Sequence, residues 1–309
     1  MKLLPFLQLI RWKNLVILAT ALLVIKYGFI NVFTDESALN NLQFVLFLCS
    51  ILLIAAAGYI INDIYDIETD TINKPSKVFI GTVLSINQAY NFYFLFNIIG
   101  VILGFLVVNF LQKPIFSSIY IIGSFVLYYY STTLKRMPVI GNFVVAFFIS
   151  FTLITLAYFD LILVHNTDNL GFHYLLFELI FEFSIFAFMI NFIREIVKDL
   201  EDIEGDNYLQ MKTLPILIGI KYSKVFIEFL SLLLIIALTY FVISYLQFNS
   251  IIFYYFLIFI AFPLFYFCIK LYYSETKSDF NFLSKILKVC MLSGIIAIIF
   301  ISLSIKNVI

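Results

Sequence analysis

The chain is predicted to be all-α, a polytopic membrane protein with nine transmembrane helices. Three observations predict that class. Hydrophobic residues make up 63% of the 309 positions and charged residues only 12%, with a mean hydropathy of +1.06, which lies outside the range of soluble domains. Nine apolar runs are long enough to cross about 30 Å of hydrocarbon. Their ends divide the 19 Lys and Arg residues unevenly: sixteen lie on one side, and only Lys26, Lys113 and Lys306 on the other.

The first run, near 6–30, carries Arg11-Trp12-Lys13 and lacks a small-x-small cleavage site, so it reads as a membrane helix and not a cleaved signal. For Arg11 and Asn14 near its start two readings compete, entry into a cavity and an interfacial anchor beside Trp12, and the anchor is favoured. The second, near 42–62, contains Ala55-Ala56-Ala57-Gly58, small residues that let helices approach. The third and fourth, near 88–109 and 114–134, precede a Lys135-Arg136-Met137-Pro138 turn, and the fifth follows near 139–162. Asp160, His165 and Asp168 read as a solvated outer loop, and neither His165 nor His173 has companion ligands for a metal. The sixth run, near 172–196, holds Glu178 and Glu182 one turn apart; inside a span they must face protein or a polar pocket, and no function is assigned to them. Runs near 222–247, 250–272 and 284–305 complete the count. Cys49, Cys268 and Cys290 sit singly in apolar stretches and read as buried small side chains. Zero net charge gives no electrostatic reason to expect nucleic acid. No linker divides the chain, so 1–309 reads as one integral-membrane domain. The basic side is cytoplasmic by the positive-inside rule, which puts the N-terminus inside and the C-terminus outside.

Two stretches 136 residues apart repeat the pattern D-x-x-D-I-E-x-D: Asp63 to Asp70 and Asp199 to Asp206. Both fall at cytoplasmic ends, of the second and sixth runs, and open the two longest cytoplasmic connections. On a continuous helix, positions 0, 3 and 7 lie within about 60° of one another, so Asp63, Asp66 and Asp70 share a face, as do Asp199, Asp202 and Asp206. Glu68 and Glu204 fall about 140° away and Glu201 about 200° away, so these three point elsewhere. Two such faces brought together would form an oxygen cage of the kind hard divalent cations require. Six unpaired carboxylates at a membrane boundary would otherwise be costly.

The same side carries Lys74, Lys77, Lys135, Arg136, Arg194, Lys198 and Lys212. Carboxylates, metal and cations at one membrane face suit a polyanion with a greasy tail. Mg²⁺ bridges carboxylates to diphosphate oxygens while Lys and Arg neutralise the remainder. An allylic diphosphate held in this way can ionise, with a dry aromatic cavity sheltering the carbocation.

Asn62-Asp63-x-x-Asp66-x-x-x-Asp70 resembles the N-D-x-x-D-x-x-x-D signature of the UbiA superfamily of intramembrane prenyltransferases, and Asp202-x-x-x-Asp206 resembles its second motif. The segment from Arg194 to Asp206, Lys212-Thr213-Leu214-Pro215 and the stretch 134–142 look most like the branch that alkylates geranylgeranylglycerol phosphate in ether-lipid synthesis. The resemblance implies a UbiA-like bundle in a prokaryotic cytoplasmic membrane. It also implies Mg²⁺, with two ions bridging the diphosphate, and a prenyl donor such as geranylgeranyl diphosphate. Asn62 and the six aspartates would organise metal and diphosphate, with Lys74, Lys77, Arg194 and Lys198 at the substrate. Two departures stand out. The family's Arg-Pro-x-Arg-Pro is here Lys74-Pro75-Ser76-Lys77-Val78, and lysine lacks the bidentate fork. In place of Y-x-x-x-K, Tyr130 stands five residues before Lys135; the resemblance puts both at the substrate, Tyr130 near the carbocation.

Two rival readings stay open. An aromatic acceptor (a hydroxybenzoate, homogentisate or dihydroxynaphthoate) would need a flat apolar slot, whereas a glycerol-phosphate acceptor would need extra cations for its own phosphate. A divalent-cation transporter would use the aspartates as ion sites, but such sites usually lie near the membrane midplane and not at helix ends.

Overall fold

A computed structural model describes residues 3–75, 78–163, 169–246 and 250–306, and these form helices joined by turns, with no strand among them. Lys77, His165 and Asp168 lie outside the described residues. Among the described residues nine helices are long and apolar enough to cross a membrane: Trp12–Phe33, Asn41–Tyr65, Ile86–Phe110, Pro114–Thr132, Ile140–Ile162, Leu170–Glu201, Leu214–Ser244, Ile251–Tyr273 and Lys277–Ser304.

Local chemistry explains several boundaries. Asn40 and Gln43 form a reciprocal capping box before the second span, and Ser85 and Gln88 repeat it before the third. The first span begins later than its apolar run suggests, because the short helix Leu3–Leu9 stops and Arg11 adopts a left-handed φ of 49°. The seventh begins earlier, with one turn preceding Gly219, whose φ of 84° interrupts the helix at little steric cost.

Small residues set the closest helix contacts. Ser50 Oγ of the second span donates to the Gly100 carbonyl of the third at 2.6 Å, and a Cβ on Gly100 would lie 2.8 Å from Ile54. Gly58, within the expected small-residue stretch, faces Leu127 of the fourth span, where a Cβ would come within 3.1 Å.

Apolar packing falls into two large groups. One joins residues of the first, second, fifth and sixth spans around Phe29, Phe47, Leu156 and Ile180. The other joins the sixth to ninth around Ile193, Leu234, Phe267 and Leu287. A large cavity runs between them and reaches the end of the bundle that carries both acidic motifs.

At the opposite end the expectation of a solvated loop fails for Asp160. Its carboxylate is fully buried, accepting from Lys26 Nζ at 2.8 Å and from the Leu39 amide at 2.8 Å. Lys26 also donates to Leu39 O at 2.7 Å and Ser37 Oγ at 3.0 Å, so the buried pair has the extra hydrogen bonds that offset its desolvation. His173 is buried there too, its Nε2 3.2 Å from Thr34 Oγ1. Glu178 is exposed on the sixth span and Glu182 half-buried.

Candidate active site

Each acidic motif contains a helix break at its central aspartate. The second span ends at Tyr65, Asp66 takes φ −99° and ψ 5°, and a separate helix Ile67–Asn73 begins. The sixth span ends at Glu201, Asp202 takes φ −102° and ψ 9°, and Ile203–Tyr208 follows. Neither motif is the continuous helix that the spacing suggested. The bend leaves the i to i−4 bonding intact, with Asp66 N to Asn62 O at 2.9 Å and Asp202 N to Lys198 O at 2.9 Å. All six aspartates therefore still face one cavity.

That cavity has a volume of about 1040 Å³. Asn62, Lys74, Tyr130, Lys135, Arg194 and Lys198 line it as well, so every described residue expected at the site is brought together. Farther in, the lining turns apolar and aromatic, with Ile25, Ile51, Phe148, Phe186 and Phe241.

The first motif is held by cations from other segments. Arg11 reaches Asp63 Oδ1 at 2.8 Å and lies 5.0 Å from the centre of the Tyr59 ring, so it enters the site instead of anchoring at the interface. Lys135 pairs with Asp66 Oδ1, and Asn62 Nδ2 donates to the other oxygen at 2.5 Å. The unclean spacing between Tyr130 and Lys135 thus still delivers both to the cavity, because a turn of 3-10 helix at Leu134–Arg136 carries the lysine inward.

The second motif is bound to the first. Lys74 Nζ lies 2.5 Å from Asp202 Oδ2. Asn73 Nδ2 donates to Asp202 O at 2.9 Å, and Asn73 Oδ1 accepts from Gly205 N at 2.9 Å. Asp199 accepts from Asn142 Nδ2 at 2.8 Å. Arg194 and Lys198 share Glu195, at 3.1 and 2.7 Å. Glu68 and Glu204 are exposed, as their helical angles required. Glu201 is not: it is buried in the cavity wall and accepts from Asn281 Nδ2 at 2.9 Å. The helical angle did not reveal this because Glu201 is buried by Asn281 of the ninth span, which also lines the cavity.

Outside the spans, burial and crowding displace the titrations. Burial, then Asp66 and Asp63, push Asp70 up to about 6. Burial, then Asp202 and Asp66, push Asp206 up to about 7. Burial opposes the charge on Lys74, but Asp202 outweighs it and holds the ammonium above its usual range. Arg11 is likewise opposed by burial and raised by Asp63.

Among the described residues no three carboxylates, histidines or cysteines converge tightly enough to enclose one ion, so the expected cage is not closed by protein atoms alone. The donor set nevertheless fits Mg²⁺. That ion is commonly held by one or two carboxylates and completed by water and substrate phosphates. Asp202 Oδ1 is buried without a hydrogen-bond partner and belongs to the same cavity wall.

Several site residues escaped the sequence reading: Tyr59, Asn73, Asn142, Glu195 and Lys288 all line the cavity or hold its lining. One signal could have found Glu195. Asn191, Arg194, Glu195, Lys198 and Asp202 recur at helical spacing on one face of an apolar span.

Residues 14–291 match the UbiA prenyltransferase family. A digeranylgeranylglyceryl phosphate synthase from Methanobrevibacter smithii is 31% identical over 294 residues, covering 95% of this chain and 96% of that one. Another from Saccharolobus solfataricus is 35% identical over 246 residues, 79% of each chain. A solved structure concerning digeranylgeranylglyceryl phosphate synthase in membranes superposes with a TM-score of 0.61 at 26% identity, covering 98% of this chain and 99% of the other. A UbiA homologue from Archaeoglobus fulgidus, bound to GPP and Mg²⁺, shares the fold with a TM-score of 0.62 at 16% identity, over 95% of this chain and 99% of that one.

Proposed function

We propose, from the premise that this chain belongs to the UbiA prenyltransferase family, that it moves a prenyl group from an allylic diphosphate to a phosphorylated lipid acceptor. The donor we infer is geranylgeranyl diphosphate and the acceptor geranylgeranylglycerol phosphate, as the names of the similar synthases suggest. One observation carries the reading: both acidic motifs open onto a single cavity that is ionic at the motif end and apolar beyond it. A diphosphate head and a hydrocarbon tail need that polarity gradient.

Asp63, Asp66, Asp70, Asp199, Asp202 and Asp206 are the residues that would hold Mg²⁺, with two ions as the expected number. When bound, the metal neutralises the diphosphate and stabilises the departing pyrophosphate. Arg11, Lys74 and Lys135 reach the same space and supply charge-assisted hydrogen bonds to diphosphate oxygens. Asn62 orients Asp66 through its 2.5 Å hydrogen bond. Lys77, three residues after Lys74 in sequence, is proposed to add charge for binding the substrate. Tyr130 and Tyr59 present polarisable rings to the developing carbocation, while the apolar wall excludes water that would otherwise capture it. The allylic C–O bond breaks with its electron pair leaving on pyrophosphate. The acceptor hydroxyl oxygen then bonds to the allylic carbon and passes its proton to pyrophosphate.

The motif end is proposed to face the cytoplasm, since it gathers the basic residues of the loops. The six aspartates share one cavity with a long apolar stretch beyond them, which supports an enzyme acting on a lipid diphosphate over a cation transporter. The test is Mg²⁺-dependent pyrophosphate release by purified protein given geranylgeranyl diphosphate. Candidate acceptors are geranylgeranylglycerol phosphate, glycerol 1-phosphate, 4-hydroxybenzoate, homogentisate and dihydroxynaphthoate. Release with geranylgeranylglycerol phosphate is expected; release only with an aromatic would overturn the acceptor assignment.

A further inference from the structure

Deeper than Asp202, and starting level with Asp199, the cavity wall carries further polar side chains that the diphosphate chemistry does not use. On the sixth span Arg194 lies eight residues before Asp202, about 12 Å farther along the helix axis, and Lys198 lies about 6 Å farther. On the ninth span Asn281, Ser284, Lys285 and Lys288 all line the cavity at helical spacing. Asn281 bonds Glu201 at the level of the aspartates, so Lys288 sits about 10 Å deeper. Two helices from separate parts of the chain thus bring cations to the same stretch of the cavity wall, about 6–12 Å deeper than Asp202.

Lys288 has no carboxylate. Its ammonium donates to Asn14 Oδ1 of the first span at 2.9 Å, and no ion pair to it occurs among the described residues. Its electrostatic surroundings include Arg194, Lys198 and Arg11 as well as Glu195. Glu195 is the one carboxylate that Arg194 and Lys198 share. Arg194 Nε is buried and has no hydrogen-bond partner. With Lys285 on the ninth span and Asp199 on the sixth both close to the depth of Lys198, four cations face two anions here, a surplus of two positive charges. A phosphate monoester carries about −1.5 to −2 near neutral pH, with three strong acceptor oxygens. An aromatic carboxylate would cancel only half of that surplus. Beyond Lys288 the ninth span continues to line the cavity with Met291, Ile295 and Ile298, an apolar track.

We propose that Arg194, Lys198 and Lys288, steadied by Asn14 and Glu195, seat the phosphate of the acceptor lipid. Its hydrocarbon chain then follows the apolar track of the ninth span, and the glycerol hydroxyl points back toward the aspartates. The seat rests on the proposed transfer to a phosphorylated lipid and determines the choice of acceptor, while the aspartates and Lys74 and Lys135 handle the donor.

The experiment is calorimetric binding in EDTA, where the metal-dependent diphosphate site is inactive, with geranylgeranylglycerol phosphate and its phosphate-free alcohol as probes. Wild-type protein should bind the phosphorylated lipid at least about tenfold more tightly, as expected for charge-assisted contacts in a dry site. Lys288→Met and Arg194→Met should each remove most of that preference without changing affinity for the alcohol, and Lys288→Arg should retain it. In turnover assays with Mg²⁺, Lys288→Met should raise the KM for the phosphorylated acceptor and leave the KM for geranylgeranyl diphosphate unchanged. Thermal midpoints of the variants identify any that fail to fold, and Lys288→Arg then carries the comparison. A wild-type preference that survives both methionine variants would overturn the seat alone. Equal loss for both lipids would also overturn it, in favour of a structural role. A wild-type protein indifferent to the phosphate would overturn the acceptor assignment and the seat together.

Discussion

The two acidic motifs have nearly the same backbone and quite different partners. Asp66 and Asp202 break their helices at φ and ψ values that agree within a few degrees, and each keeps its amide bonded four residues back. Yet the first motif takes its countercharges from distant segments, Arg11 on Asp63 and Lys135 on Asp66, whereas the second takes Lys74 from the end of the first. Asp66 is satisfied on both oxygens, while Asp202 retains a buried Oδ1 with no partner. The repeat therefore supplies carboxylates in a fixed backbone frame, and the surroundings decide how each one is paired and steadied. A symmetric sequence pattern has produced an asymmetric electrostatic site.

The strongest test of the backbone symmetry removes the central carboxylates. Asp66→Asn and Asp202→Asn should each lower kcat/KM for pyrophosphate release on the order of 10²–10³-fold, the scale seen when one preorganised charge-stabilising group is lost. A loss confined to one of them would show that the motifs are not equivalent halves. Packing offers the next contrast, at the paired positions Thr69 and Gly205, which stand 136 residues apart. A Cβ at Gly205 would meet Asn73 Nδ2 at 2.5 Å and disturb both hydrogen bonds that join the motifs. Gly205→Ala should cost about 1–3 kcal/mol in reversible unfolding, whereas Thr69→Ala should cost less.

Glu201 sharpens the comparison further, because its counterpart in the first motif is Tyr65. Glu201→Gln should slow turnover by about tenfold through loss of its charge at the cavity wall, while Glu68→Gln and Glu204→Gln stay near wild type. Equal effects at all three would contradict the observed split between one buried and two exposed carboxylates. The smallest effect is one of acidity. Asp70 is pushed up to about 6 and Asp206 up to about 7, so both take up protons as pH falls through that interval. Mg²⁺ binding requires their ionised forms and must displace those protons. The Mg²⁺ concentration for half-maximal activity should therefore rise as pH drops from about 8 to 6, and Asp206→Asn should shrink that shift more than Asp70→Asn.

Much of the fold was legible because membrane spans are written in composition. A run of apolar residues long enough to cross hydrocarbon can satisfy its backbone only as helix, so nine such runs meant nine spanning helices among the described residues. The aspartates were legible because a polar group inside so apolar a chain needs a reason. Asp160 was misread for the opposite reason: its partner Lys26 lies 134 residues away, and nothing local to either residue shows that the other will neutralise it. Arg11 was misread because an Arg beside a Trp at a helix start also fits an interfacial anchor, and only the left-handed turn at that residue sends its side chain inward.

The chain by itself determined its helices, its two acidic motifs and the exposure of Glu68 and Glu204, since these follow from periodicity and length along one segment. Tertiary structure alone decided the rest. It placed Lys74 on Asp202, turned Glu201 into the cavity, and brought Lys288 of the ninth span to the cavity that Arg194 and Lys198 of the sixth line. Those outcomes depend on how helices remote in sequence pack and where each one bends, and a packed bundle fixes both through contacts that no single segment contains.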